Sequence, residues 1–195
     1  MDGPNGNIRM AEHWTKLNGS ESLQPPVQIG RTARLGQRMR AGCIACILLK
    51  HIVIQSWTSF EALAEDLIMD AIDAHPSLFA SVQKEKLHFS SRDRIRAAYE
   101  SSFTDDDASI LSLINDQSID ALSVVRNLLI HSAGAVDKKF LAEAARYQTL
   151  TKFRALNIGE SIQLDGINVR ILVDGIVKNG CQLVRSIDCW IKAHK

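Results

Sequence analysis

The spacing of apolar residues most constrains what this chain can fold into, because it follows the helical period through most of the length. Over residues 41–74, Leu49, Val53, Trp57, Phe60, Leu63, Leu67 and Ala71 recur at steps of three or four, while Glu61, Glu65 and Asp66 fall off that stripe. This predicts an amphipathic helix. The pair His75-Pro76 should end it, since the residue before a proline is pushed out of the helical region. The length also leaves room for a break within 50–56.

Shorter helical patterns follow at 78–88 and 91–103, the latter with Ser91 as N-cap. Others lie at 105–114, 118–131 and 138–147. Ser161-Ile162-Gln163-Leu164-Asp165-Gly166 alternates and closes on Asp-Gly, which predicts a short extended piece with a turn. A last helix is expected over 169–192, with Val169, Val173, Ile176, Val184, Ile187 and Ile191 as its core stripe. Gly175 and Gly180 weaken its interior and mark close helix packing. The expected architecture is an all-α helical bundle with a short extended or turn element before the long C-terminal helix. Residues 1–30 hold Pro4, Pro25, Pro26, Gly3, Gly6 and Gly19, so a mobile or irregular N-terminal extension is expected there, with Ile8 and Trp14 able to dock. The helical domain then covers 31–195.

With 195 residues, 46% apolar and 23% charged, the chain can bury a substantial core. The net charge of +1 gives no global basic field to draw in nucleic acid, so any such binding needs a local or assembled patch. Charges do cluster. Arg31, Arg34, Arg38, Arg40 and Lys50 precede Glu61, Glu65, Asp66, Asp70 and Asp73, a pattern also met in ordinary solvated helix faces. Cys43 and Cys46 form a C-x-x-C inside an apolar run with no second pair, which reads as buried, reduced core cysteines rather than a zinc or redox site. The longest apolar run, residues 41–54, is broken by Lys50 and His51 and is too short to cross a bilayer. The start shows no signal-peptide pattern, so the expected location is the cytoplasm, with no membrane partner.

Chemistry gathers in Arg126-Asn127-Leu128-Leu129-Ile130-His131, near the end of the 118–131 helix and just before Ser132-Ala133-Gly134. At 100° per residue, Asp120, Ser123, Asn127 and His131 share a sector about 80° wide on an otherwise apolar helix. Arg126 lies about 60° from Ser123 on the same wheel, within reach of a long side chain. A permanent cation beside a group that titrates near neutrality can cleave a phosphodiester without a metal. The competing account is purely structural, since cations are favoured at helix C-termini without any function.

These residues resemble the signature of the HEPN superfamily: an arginine, four to six residues, then a histidine, often with a polar residue directly after the arginine. Arg126, Asn127 and His131 match it, and the continuation from Ser132 to Leu141 reads like the segment after that histidine in phage-defence and toxin-type members. Trp57-Thr58-Ser59-Phe60-Glu61-Ala62-Leu63-Ala64-Glu65-Asp66-Leu67 is similar to their early helix, and Gly159-Glu160-Ser161-Ile162-Gln163-Leu164 to their C-terminal element. The likeness spans about residues 40–193.

The resemblance implies a homodimer with the two signature helices facing each other, and a metal-independent endoribonuclease, in many members a toxin or antiviral effector. RNA would be the substrate, an antitoxin or defence-system component a further partner, and no cofactor or metal is required. Arg126 and His131 would be catalytic and Asn127 supporting. Weaker candidates are Glu61, Asp66, Ser123, Asp120 and Lys138. Members controlled by nucleotidylation carry a tyrosine two residues after the histidine; here Ala133 stands there, so that control is not implied. The alternative from another class is a non-catalytic HEPN-like module that binds RNA or a nucleotide, or dimerises, within a defence assembly. A helical bundle with no nucleic-acid role is the third reading.

Overall fold

The apolar stripe at 41–74 folds as one unbroken helix in the computed structural model, which describes residues 29–77, 79, 82, 87–103 and 107–194, with side chains from residue 44 onward. That helix, α1, spans Ile29–Ala74. The break within 50–56 for which the length left room does not occur. Residues 1–28, where the irregular extension was expected, lie outside the described residues, and the boundary expected at residue 30 falls inside α1. The chain divides into two compact units, Met1–Ala41 and Gly42–Lys195; everything below concerns the second.

Within it α1 buries Val53, Trp57, Phe60, Ala64, Leu67, Ile68, Ala71 and Ile72, a stripe of the kind the spacing predicts. Each large side chain so buried contributes about 1.5–3 kcal/mol. The helix stops before Pro76, and the His75 N–H closes on Ala71 O at 3.1 Å. One expectation fails at the other end. Cys46 is half-buried rather than buried, and Ile44, Ile47 and Leu48 beside it are each more than half exposed. An apolar run is buried only where other elements cover it, and this one precedes the first fully buried residue, Val53. Cys46, Cys181 and Cys189 are free thiols, and the side chain of Cys43 lies outside the described residues.

The helix expected over 78–88 is not formed at its described residues, which are Phe79, Val82, Leu87 and His88. Phe79 instead sits in a turn closed by the Val82 N–H on its carbonyl at 2.9 Å, its ring against Phe103 and Trp190. Tertiary packing of one aromatic thus overrides a weak local preference.

Helix α2, Arg92–Ser102, starts where expected: the Ser91 hydroxyl oxygen accepts from the Arg94 N–H at 3.4 Å. Its Tyr99 hydroxyl donates to Ala64 O at 3.0 Å and fastens α2 to α1. Burial pushes the Tyr99 hydroxyl far above the ordinary tyrosine value, so it remains a donor. Helices α3, Ala108–Ile114, α4, Gln117–His131, and α5, Lys138–Ala144, follow. A 3-10 helix at Gln148–Ala155, which the sequence pattern does not signal, leads to α6 at Gly166–Ala193. The described residues are all-α, with no strand.

The 161–166 piece departs from expectation in an instructive way. Ser161 bridges to Ala135, so the extended character is real but amounts to one isolated bridge. Asp165-Gly166 does not turn the chain back. It starts α6, with Asp165 accepting from the Asn168 N–H at 2.8 Å. Aspartate is favoured at both turns and N-caps, and here the cap wins. In α6 the core row is Val169, Leu172, Ile176, Leu183 and Ile187, while Val184 is 41% exposed, contrary to its expected place in the stripe. Gly175 and Gly180 do mark close packing: a Cβ on Gly175 would stand 2.8 Å from Ser118 Cβ on α4, and one on Gly180 3.0 Å from Leu63 Cδ2 on α1.

Candidate functional site

Helix α4 is the central element of this unit. Asp116 caps it by accepting from the Ser118 N–H at 2.8 Å, and Ile119, Ala121, Leu122, Val124, Val125, Leu128 and Leu129 are all buried. A helix surrounded in this way holds any polar group it carries in a defined place.

The polar stripe expected on α4 separates into two halves. Asp120 and Ser123 are buried, at 8% and 4% exposure, whereas Asn127 and His131 are exposed. Asp120 is an ion-pair anchor. Its Oδ1 accepts from Arg96 Nη2 at 2.7 Å, and Arg92 Nε lies 3.5 Å away. Arg92 in turn donates to the Tyr147 hydroxyl at 3.4 Å and stands 3.8 Å from Glu143 Oε2. Burial draws the Arg92 guanidinium down, but the hydrogen bond it donates to Asp93 and the charge of Asp120 more than offset this and hold its pKa raised. Burial, then the charge of Asp120, raises the Tyr147 hydroxyl as well.

After His131 the chain reverses sharply. The N–H groups of Ser132 and Gly134 both return to Leu128 O, at 3.1 and 3.0 Å. Ala133 and Gly134 take positive φ of 50° and 84°, the left-handed region that a helix C-terminus commonly uses. Asp137 then serves twice: one oxygen accepts from the Phe140 N–H at 2.7 Å and the other from the Ser132 hydroxyl at 3.2 Å. The loop is tied down from outside as well, by the Val136 N–H to Glu160 O and the Ile162 N–H to Gly134 O, each at 2.8 Å.

This reversal folds α5 back beside α4 and leaves a cavity of about 170 Å³ between them. Asn127 and His131 line it together, with Ser132, Asp137, Lys139 and Glu143 as the other polar walls and Val124, Leu128 and Phe140 as the apolar floor. An imidazole, an ammonium, an amide, a hydroxyl and two carboxylates around one small cleft can hold a polar ligand by hydrogen bonds and move a proton beside it.

Arg126 does not line this cavity. It is half-buried, and Nη1 donates to Asn127 Oδ1 at 3.0 Å, so it joins the set through Asn127. Its Nε is buried with no partner among the described residues. Lys138 is exposed and outside the cavity, where its neighbour Lys139 stands instead. Asp66 is exposed on α1, and Glu61 is half-buried with Oε1 buried and unpartnered among the described residues; neither lines the cavity.

Sequence reasoning missed Ser132, Asp137, Lys139 and Glu143. A signal was present. Asp137 reads as an N-cap, and Lys139 and Glu143 are four apart, so a tight reversal at Gly134 would carry both toward the end of α4. Among the described residues there is no group of His, Cys, Asp and Glu placed to hold a metal, and no helix is long and apolar enough to cross a membrane. No family model, curated protein or solved structure matches the chain.

Proposed function

We propose that this chain is a HEPN-type, metal-independent endoribonuclease, acting in the cytoplasm as a homodimer and serving as a toxin or antiviral-defence effector. The observation that carries this reading is the shared cavity at the end of α4, where His131 and Asn127 meet Lys139 and Ser132. His131 takes the proton of an RNA 2′-OH as that oxygen attacks the adjacent phosphorus. The bond to the 5′-oxygen breaks, that oxygen leaves with a proton supplied by solvent water, and a cyclic phosphate remains. Cations around the crowded phosphate stabilise its charge, a role suited to Arg126 and Lys139. A second copy brings a second set of these groups, which a chain of net charge +1 otherwise lacks. An antitoxin or defence-system component is the partner such an activity calls for.

A second reading is favoured by one observation. Arg126 stands outside the cavity lining and is engaged with Asn127, an arrangement that also suits a non-catalytic RNA- or nucleotide-binding or dimerisation module.

The test is incubation of the purified protein with total RNA and transfer RNA in EDTA, beside Arg126→Ala and His131→Ala. Cleavage by the wild type and loss in both variants is the expected result. Full activity in His131→Ala overturns the assignment of roles, and intact RNA with a well-folded wild type favours the binding module.

A further inference from the structure

From the walls of the cavity we infer that it is a guanine-binding pocket, with Glu143 and Asn127 reading the edge of the base; this rests on the ribonuclease reading of the same site. The cavity, about 170 Å³, is smaller than the roughly 300–1,000 Å³ that takes a drug-sized ligand, and its scale is that of one ring system. Its apolar lining is Val124, Leu128 and Phe140. Single-stranded RNA is read by this combination: an unstacked base lies on an apolar or aromatic surface while polar groups meet its Watson–Crick edge.

The polar pattern selects among the bases. Arg126 Nη1 engages Asn127 Oδ1 at 3.0 Å, so the amide NH₂ is the group Asn127 offers to a ligand, as a donor. Glu143 is a half-buried carboxylate, its side chain 24% exposed, and Arg92 Nη1 lies 3.8 Å behind Oε2. That ion pair orients the carboxylate without occupying it as a hydrogen-bond acceptor. Asp137 differs: both its oxygens are already committed, to the Phe140 N–H and the Ser132 hydroxyl. Of the polar walls, Asn127 thus offers an amide donor and Glu143 a two-oxygen acceptor, with His131, Ser132 and Lys139 beside them to meet the ribose and phosphate.

Guanine offers the complement, with O6 to accept from the Asn127 amide and N1–H and N2–H₂ to donate to the two Glu143 oxygens. Uracil sets its O2 acceptor against the carboxylate. Adenine and cytosine each set a ring-nitrogen acceptor against it and a donor against the amide. Hypoxanthine keeps O6 and N1–H but lacks the second donor.

The experiment is calorimetric titration of the full chain with GMP, IMP, AMP, UMP and CMP, alongside cleavage of four oligoribonucleotides that differ at one base. The wild type is expected to bind GMP about tenfold or more tighter than IMP and the others. GMP binding should weaken by about tenfold to a hundredfold and the margin should close in Glu143→Gln, a near-isosteric change that removes the paired acceptor. Asn127→Asp, at an exposed position, sets a carboxylate against O6 and should weaken GMP independently. Equal affinities, no binding of any nucleotide, or a GMP preference that survives Glu143→Gln overturns the inference. If RNA is cut without base preference and all nucleotides bind alike, the guanine pocket falls and the ribonuclease stands. If GMP selectivity depends on Glu143 but no RNA is cut, the ribonuclease falls and the pocket stands, with a free guanine nucleotide as its ligand.

Discussion

Arg96 on α2 donates to Asp120 Oδ1 on α4 at 2.7 Å, across a contact where the Asp120 side chain is only 11% exposed and the Arg96 side chain 21%. With Arg92 Nε at 3.5 Å, two cations converge on one carboxylate. Removing that carboxylate leaves both guanidiniums partly desolvated and unmatched. Asp120→Ala is expected to cost about 2–4 kcal/mol in urea unfolding, toward the lower part of the range for broken buried pairs because both arginines keep some water. The double variant with Arg96→Ala should lose less than the sum of the single losses. A loss under about 0.5 kcal/mol in Asp120→Ala would refute the anchor role.

That anchor also shows how far the sequence could be read. Helical period alone located α1, α2, α4 and α6, because burial of one apolar face per helix dominates their energetics. It also placed Asp120, Ser123, Asn127 and His131 in one sector. A helical wheel has no axial coordinate, however, and the sector divides along the axis: Asp120 lies under Arg96 of α2, while Asn127 and His131 reach the cavity beside α5. Cys46 and Val184 are more exposed than the pattern predicts for a related reason, since a pattern shows that a residue is apolar and not which neighbour covers it. The cavity itself depends on the reversal at Ala133 and Gly134, a backbone event that spacing rules do not encode.

Two glycines of α6 should respond differently to alanine. At Gly175 the added methyl meets Ser118 Cβ at 2.8 Å, an atom fixed to the α4 backbone, so one helix must move. Overpacking of this kind costs about 1–3 kcal/mol, against a gain of about 1 kcal/mol in helix propensity. At Gly180 the obstacle is Leu63 Cδ2 at 3.0 Å, the far end of a flexible side chain. Gly180→Ala should therefore lie near neutral and Gly175→Ala clearly below wild type in thermal unfolding. Ser118→Gly should restore Gly175→Ala if the clash is the cause.

Acid should reveal the cap of α6. The Asp165 carboxyl is held below its ordinary value of 3.8, first by the hydrogen bond from Lys152 and then by the Asn168 N–H. A carboxyl lowered in the folded state contributes stability that is fully present above its unfolded value and is lost as pH falls through the folded one. The wild type should thus lose melting temperature below about pH 4 more steeply than Asp165→Asn, with the two curves converging in strong acid. Parallel curves from pH 7 to pH 2 would show that the cap carries no such linkage.

The last prediction concerns what Arg126 costs the fold. Its Nε is buried with no partner among the described residues, while Nη1 holds Asn127 at 3.0 Å. An unsatisfied buried donor disfavours the folded state by about 1–3 kcal/mol, so a residue selected only for stability would not be arginine here. Arg126→Met keeps the apolar stem and removes the orphaned group. It is expected to unfold at or above the wild-type denaturant midpoint and to cleave RNA at least about a hundredfold more slowly, the scale of losing one charge-stabilising group. Asn127→Ala should slow cleavage too, and adding it to Arg126→Met should bring little further loss, because the two side chains act as one bonded unit. Loss of stability together with unchanged cleavage in Arg126→Met would make the arginine a structural residue and remove it from the site.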